Sequence, residues 1–305
     1  MGIPVKVYTS AMTDAPQLVG SRGDLKMVLK ACLATGFGAG NNRQEPLGWE
    51  IVPGTESADV FSFAFRPTSI NSAKNIIKVD CTATYKAQLT AWFDTAADGS
   101  LVNGSSNMQE WPFWENGGMD WYLIGHEQSF LFVVRWRGRN SSDSPGGVSR
   151  AMFFGAMNDG VHKARGNTLL LRIAGSYTVL NNYNPDGIET HLSPDYNRMS
   201  LSADGMKYWV SVKPWWQMGE ISAGYSKVNG DMYFSKVAMT EGGEFRGFLP
   251  FGYLVHHKLK SPDNFKIKKI GGVDHLLAQC GQGLRENETY GISLPFLINL
   301  SEWDY

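Results

Sequence analysis

The sequence predicts a mainly β protein with one short helix, and three observations lead there. From residue 59 onward, segments rich in β-branched and aromatic residues recur at short intervals, separated by Gly, Asn, Asp and Pro clusters that interrupt regular structure. Only residues 24–38, DLKMVLKACLATGFG, hold a helical period. The composition, 43% apolar and 12% aromatic over 305 residues, supplies the large side chains that packed sheets need. Together they predict a β-sandwich or barrel-like body of many short antiparallel strands, with one N-terminal α-helix over about 24–35.

In that helix Leu25, Val28, Leu29, Cys32 and Leu33 recur at i, i+3, i+4, i+7 and i+8, so they share one side while Lys26 and Lys30 turn away. Ser21 and Asp24 are expected to accept hydrogen bonds from the first-turn amides, and Gly36 to end the helix in a left-handed conformation. The apolar stripe would pin this segment to the β body.

Candidate strands follow at 59–65, 76–81, 88–93, 121–125, 130–136, 151–154, 169–173, 207–212, 232–234, 265–270 and 294–300. SFLFVVRWR, residues 129–137, is apolar up to Arg135, which predicts a central strand buried on both faces. ADVFSFAFR, residues 58–66, alternates less strictly than a half-exposed strand. NPDG at 184–187, NGD at 229–231 and EGGE at 241–244 are turn signals, because Gly and Asn reach positive φ cheaply. Residues 96–118 read as an irregular surface loop. Residues 137–147, RGRNSSDSPGG, read as a second loop or as a segment that orders against a neighbouring subunit. Residues 1–305 form a single β-rich body in this reading, with lobes 1–136 and 148–305 joined through 137–147. No fixed-period repeat or heptad occurs, which disfavours solenoids, coiled-coil stalks and fibres.

With 28 basic and 29 acidic side chains and a net charge of −1, the chain exerts no global attraction on phosphate backbones, so no nucleic-acid partner is expected. Cys32, Cys81 and Cys280 are too few and too widely spaced for a disulfide framework. The opening MGIPVKVYTSAMTDAP lacks the features of a secretion signal, and no run approaches a membrane span, so synthesis in the cytosol without membrane insertion is expected. The Asn-X-Ser/Thr sequons at Asn103, Asn140, Asn287 and Asn299 then read as turn chemistry.

Motifs for chemistry are mostly absent, and neither metal nor cofactor is expected. His126-Glu127 begins a zinc-protease signature, but Phe130 stands where the second histidine belongs. His256 and His257 would point to opposite faces of a strand. Gly36, Gly38 and Gly40 follow a helix instead of opening one, so they do not form a nucleotide loop. Glu110, Glu115 and Asp120 beside Trp111, Trp114 and Trp121 have the residue types of a glycosidase cleft, two acids and a stacking platform. The simpler reading is loop acids with tryptophans covering core edges. Trp209, Trp215 and Trp216 around Pro214 offer a stacking patch for glycan, a buried corner or a subunit contact. The candidate interaction or glycan surface is therefore Trp111, Trp114, Trp215 and Trp216, with no catalytic residue assigned. Arg22-Gly23-Asp24 spells an adhesion tripeptide, discounted here because Asp24 sits at a helix start.

SAMTDAPQLVGSRGDLKMVLKACLATGFG at 10–38 resembles the opening of a family of virion structural proteins of tailed bacteriophages, Mu-like and related. Later blocks resemble that family in the same order: FAFRPTSINSAKNIIKVDCTATYKAQLTAWFDTAADGS, MDWYLIGHEQSFLFVVRW, AMFFGAM, FRGFLPFGY and SLPFLINLSEWDY. Residues 137–147 and 176–206 fall outside the resemblance. It implies a structural component of a phage virion, most readily a tail or baseplate protein that packs against copies of itself and other tail proteins, with no catalytic role. A host-glycan-binding tail module, a capsid decoration protein and a tail-associated polysaccharide hydrolase are the competing readings.

Overall fold

Five consecutive apolar residues, Phe130 to Val134, have no exposed surface at all, and the fold is built around the reason. Successive side chains of a strand point to opposite faces. Phe130, Phe132 and Val134 enter one hydrophobic core, while Leu131 and Val133 enter another. Their strand is therefore the middle of a three-layer arrangement, as the unbroken apolar run predicts.

The structure, a computed structural model, describes residues 2–56, 61–69, 75–83, 86–105, 109–112, 118–136, 149–157, 168–173, 198–203, 206–211, 213–215, 234–241, 244–255, 265–281 and 293–305. In chain order the elements are β1 (Ile3–Pro4), β2 (Lys6–Thr9), α1 (Asp24–Lys30), β3 (Trp49–Ile51), β4 (Ser62–Pro67), β5 (Ile76–Ala83), β6 (Lys86–Thr95), β7 (Leu101–Gly104), β8 (Gln109–Pro112), β9 (Met119–His126) and β10 (Ser129–Trp136). They continue as β11 (Ser149–Ala156), β12 (Thr168–Ile173), β13 (Arg198–Ala203), β14 (Met206–Ser211), β15 (Lys213–Trp215), β16 (Phe234–Glu241), β17 (Glu244–Val255), β18 (Lys266–Ile270), β19 (Val273–Gly281), β20 (Ser293–Asn299) and β21 (Glu302–Trp303).

The first layer is a six-stranded antiparallel sheet, β3-β4-β5-β6-β7, with β8 also on β6. Alternation sets its inner face: Ala87, Leu89 and Ala91 of β6 enter the core, and Gln88 and Asp94 face out. Strands β1 and β21 pair as a separate two-stranded sheet, and the other thirteen form one sheet with two parts. The middle layer runs β2-β9-β10-β11-β12-β13-β14, and the outer layer runs β18-β19-β20-β17-β16-β15. Among the described residues, only Ser149 and Gly281 pair across the junction of β11 and β19. Of the two expected forms the layered one is adopted, since the strand order stays open and does not close into a barrel.

Helix α1 lies between the first and middle layers. Leu25, Val28, Leu29, Cys32 and Leu33 are all buried there, with Phe63, Val79 and Trp121 in the same core. Lys26 and Lys30 reach Glu56 at 2.8 and 3.1 Å. The helical segment covers residues 24–35 as expected, but its second half, Ala31–Thr35, is a π-helix. Gly36 ends it at φ 73°, its N–H donating to the Ala31 carbonyl at 2.7 Å; a Cβ there would stand 2.4 Å from the Gln44 carbonyl oxygen. The expected cap is corrected. Gly23 is the N-cap residue, without a side-chain cap, and the Asp24 carboxylate accepts from the Val19 and Ser21 amides instead, at 2.8 and 2.9 Å. The exposures make a paired expectation: Leu29→Asp costs several kcal/mol, about 3 or more, because an unpaired charge enters the core, while Met27→Asp, at a side 58% exposed, changes stability by about 0.5 kcal/mol or less. Thermal melts of the two variants check it.

Several strands were not foreseen. Residues 96–118, expected as an irregular loop, contain β7 and β8, and β13 lies within the stretch that has no counterpart in the resemblance. No strand was expected at 244–255, where β17, the longest described strand, contains Gly247, Pro250 and Gly252. Pro250 sits where the β16–β17 register shifts, a place where a strand tolerates proline. Gly252 lets β20 come close: a Cβ would meet the Leu297 carbonyl oxygen at 1.9 Å. The expected strand at 59–65 starts later, at Ser62, after Phe61 at φ 47°. Glu241 pairs with Glu244, as the EGGE turn predicts. The turns at 184–187 and 229–231, the loop 137–147, and His256 and His257 lie outside the described residues.

Candidate functional site

Strands β9 and β10 are joined by Glu127 and Gln128, and this tight connection brings His126 and Ser129 together. Ser129 Oγ lies 3.2 Å from His126 Nε2. The pair has the composition of a nucleophile and its base, yet its hydrogen bonds assign it another role. The Gln128 backbone N–H donates to His126 Nδ1 at 3.2 Å. Nδ1 is thus the bare nitrogen, and in the neutral ring the proton resides on Nε2 and points at the serine. A histidine in that tautomer cannot take the serine proton through Nε2. Burial pushes its pKa down to about 4, against the opposing influence of Glu127, so the ring is neutral at pH 7.

The serine is bonded on its other side to the Tyr305 hydroxyl, whose ionisation burial pushes upward. Tyr305 and Trp303 meet the His126 ring edge-on, with centroids 5.0 and 5.7 Å away. Trp303 is fully buried, close to Phe153 and Phe251. Lys236 of β16 reaches Asp304 at 2.7 Å, and β21 pairs with β1. The arrangement fastens residues 299–305 across the middle and outer layers.

Other reactive side chains are likewise engaged. Burial pushes the Cys32 thiol well up, and raises Cys81 to about 11 against the Gly23 and Lys26 amides; such thiols do not ionise near neutrality. The Arg22 guanidinium lies over Phe61 at 5.0 Å and donates to the Cys81 carbonyl at 2.9 Å. With Asp24 bonded to the preceding turn, both charged ends of the Arg-Gly-Asp tripeptide are held within the chain.

The acid and tryptophan cluster of the sequence is divided between sheets. Glu110 and Trp111 lie on β8, opposite Gln88 and Ala87 in the first layer. Asp120 and Trp121 belong to β9 in the middle layer; Trp121 is fully buried, and Asp120 pairs with Arg135 at 2.6 Å. Trp215 stands on β15 opposite Ala238, and Trp209 on β14 opposite Ser200, strands at the two ends of the thirteen-stranded order. Glu115, Trp114 and Trp216 lie outside the described residues. Among the described residues no three His, Cys, Asp or Glu side chains are grouped to hold a metal ion, and no helix is long and apolar enough to cross a membrane.

A concavity that sequence reasoning did not foresee opens on the face of the outer layer turned away from the middle layer, lined by Tyr253, Ile270, Val273, His275, Leu297 and Asn299. Cross-strand register assembles it: His275 is directly opposite Asn299, Tyr253 opposite Leu297, and Val273 opposite Ile270. No signal local to any one of these segments marks them as neighbours. No protein-family model matches the chain, and no curated protein sequence matches it significantly.

Proposed function

We propose that this chain is a structural component of a phage virion, a tail or baseplate subunit that packs against copies of itself and other virion proteins. The observation that carries this reading is the use made of the buried reactive groups. His126 and Ser129 are held in a tautomer that cannot activate the hydroxyl and lock one segment across two layers. Cys32 and Cys81 are sealed in the core. Such use of polar groups favours a rigid subunit, and the resemblance of successive sequence blocks to those of tailed-phage virion structural proteins favours the same role. No catalytic step forms part of the proposal.

Quantitative mass spectrometry of purified particles tests it. A tail or baseplate subunit is expected at a few to tens of copies per virion, because such parts have low-order symmetry. Hundreds of copies would assign the chain to the capsid surface as a decoration protein. Its absence from particles, or turnover of a polysaccharide by the isolated product, would overturn the structural reading.

A further inference from the structure

Strand β18 ends the outer layer and is paired on one side only, with β19. Gly271 and Gly272, at φ 58° and 84°, make the two-residue turn between the two strands. The flanking Ile270 and Val273 are then a pair that exchanges both backbone hydrogen bonds, and alternation puts Lys268 and Lys266 in the next such pairs. Asp274, between two of them, gives its carbonyl to the Leu300 N–H on the β20 side instead, at 3.0 Å, as this alternation requires. The N–H and C=O groups of Ile267 and Lys269 therefore face outward, where no described strand pairs with them. The edge is open: Ile267 is 53% exposed, and Lys266 and Lys269 are exposed as well.

Side chains alternate with the same period. Lys266 and Lys268 stand on one face, opposite Leu277 and His275 in register, and Ile267 stands on the other, opposite Leu276, which enters the core between the layers. Three lysines and no acid lie in these five residues. They turn away a second copy: two β18 strands paired antiparallel about their centres would set Lys268 opposite Lys268, and paired in parallel each lysine would stand beside its own counterpart. They do not turn away an acidic strand. Guarding the edge accounts for the lysines, but not for a large apolar side chain left half exposed between two of them. An added strand uses every one of these features. Its backbone meets the N–H and C=O groups of Ile267 and Lys269, its apolar residues cover Ile267, and the acids between them face Lys266 and Lys268.

We propose that β18 is a docking edge for an extended segment of a partner protein in which acidic and apolar residues alternate, added to the outer layer as one more strand. The inference does not depend on the virion role: particle content is read by mass, and occupancy of the edge by the isolated chain.

Hydrogen exchange read by NMR on the full chain tests it, with a short peptide alternating Glu and Val, its counterpart with Lys for Glu, and a short oligothymidylate as probes. The acidic peptide is expected to slow exchange at the Ile267 and Lys269 amides and to leave those of Lys268 and Ile270, already bonded to β19, little changed; the lysine peptide should do neither. No slowing with the acidic peptide, or equal slowing with both, overturns the proposal. An oligothymidylate that binds β18 as tightly as the acidic peptide overturns strand addition in favour of plain attraction for anions. Ile267→Pro removes an outward N–H at a place where an edge strand accepts proline, and should weaken peptide binding about tenfold or more. Lys268→Glu reverses one charge and should weaken it about threefold or more. Unchanged affinity in either variant, with the wild-type melting temperature retained, also overturns it.

Discussion

Aspartate at any one of Phe130, Leu131, Phe132, Val133 or Val134 is expected to abolish folding or to lower stability by about 4 kcal/mol or more. That is the cost of a buried, unpaired carboxylate, reduced only partly by its protonation. Set against a typical stability of roughly 5–15 kcal/mol, it leaves little folded protein. The point is the consecutive pattern. In an ordinary two-layer sheet every second position faces water and accepts a charge. In β10 both faces are occupied: odd and even positions enter different cores, and all five residues have zero exposure. Strand β6 supplies the contrast, because its outer face leaves Gln88 partly exposed. There Leu89→Asp should behave like the β10 variants, whereas Gln88→Lys, opposite Asp80, should shift stability by about 0.5 kcal/mol or less. Soluble yield and thermal melts of the series read the result directly. A tolerated aspartate at Leu131 or Val133 would mean that the outer layer does not cover that face.

The same contrast explains how much of the molecule was legible beforehand. The unbroken apolar run of β10 and the helical stripe from Leu25 to Leu33 carry their burial in their own spacing, so strand, centrality and helix could all be read locally. Strand β17 could not, because its Gly and Pro residues are explained only by a register shift against β16 and the close approach of β20. The capping role expected of Asp24 failed for a related reason: its carboxylate answers the turn formed by residues 19–23, which only the fold reveals. Functional geometry lies further out of reach. His275 and Asn299 belong to different strands and become neighbours through register alone. Ser129 and Tyr305 meet because residues 299–305 cross two layers. Glu110 and Trp111 lie near Asp120 and Trp121 in the chain but belong to different sheets.

His126 gives the second large expected effect, a loss of stability with acid. Folding lowers its pKa from 6.5 to about 4, because burial penalises the charged ring more than neighbouring Glu127 favours it. Below pH 6.5 the unfolded chain takes up this proton and the folded chain does not, so stability falls as pH drops. The loss runs from about pH 6.5 to about pH 4 and then levels, since below the folded value both states carry the proton. Its full size is about 3 kcal/mol. Of the groups around the ring only Glu127 opposes the shift, and its influence is already contained in the value of about 4; Ser129 and Tyr305 remain neutral throughout this range, and Trp303 offers only a ring edge. Urea midpoints measured across the window should therefore shift by one proton's worth more in the wild type than in His126→Gln, where the titrating group is gone. The variant should also be less stable at pH 7, because the hydrogen bonds to Gln128 and Ser129 are disturbed. An NMR titration of the His126 ring supplies the decisive reading. A midpoint near 6.5 in the folded protein would show that water reaches the ring, and the dry joint between the hairpin and residues 299–305 would have to be abandoned.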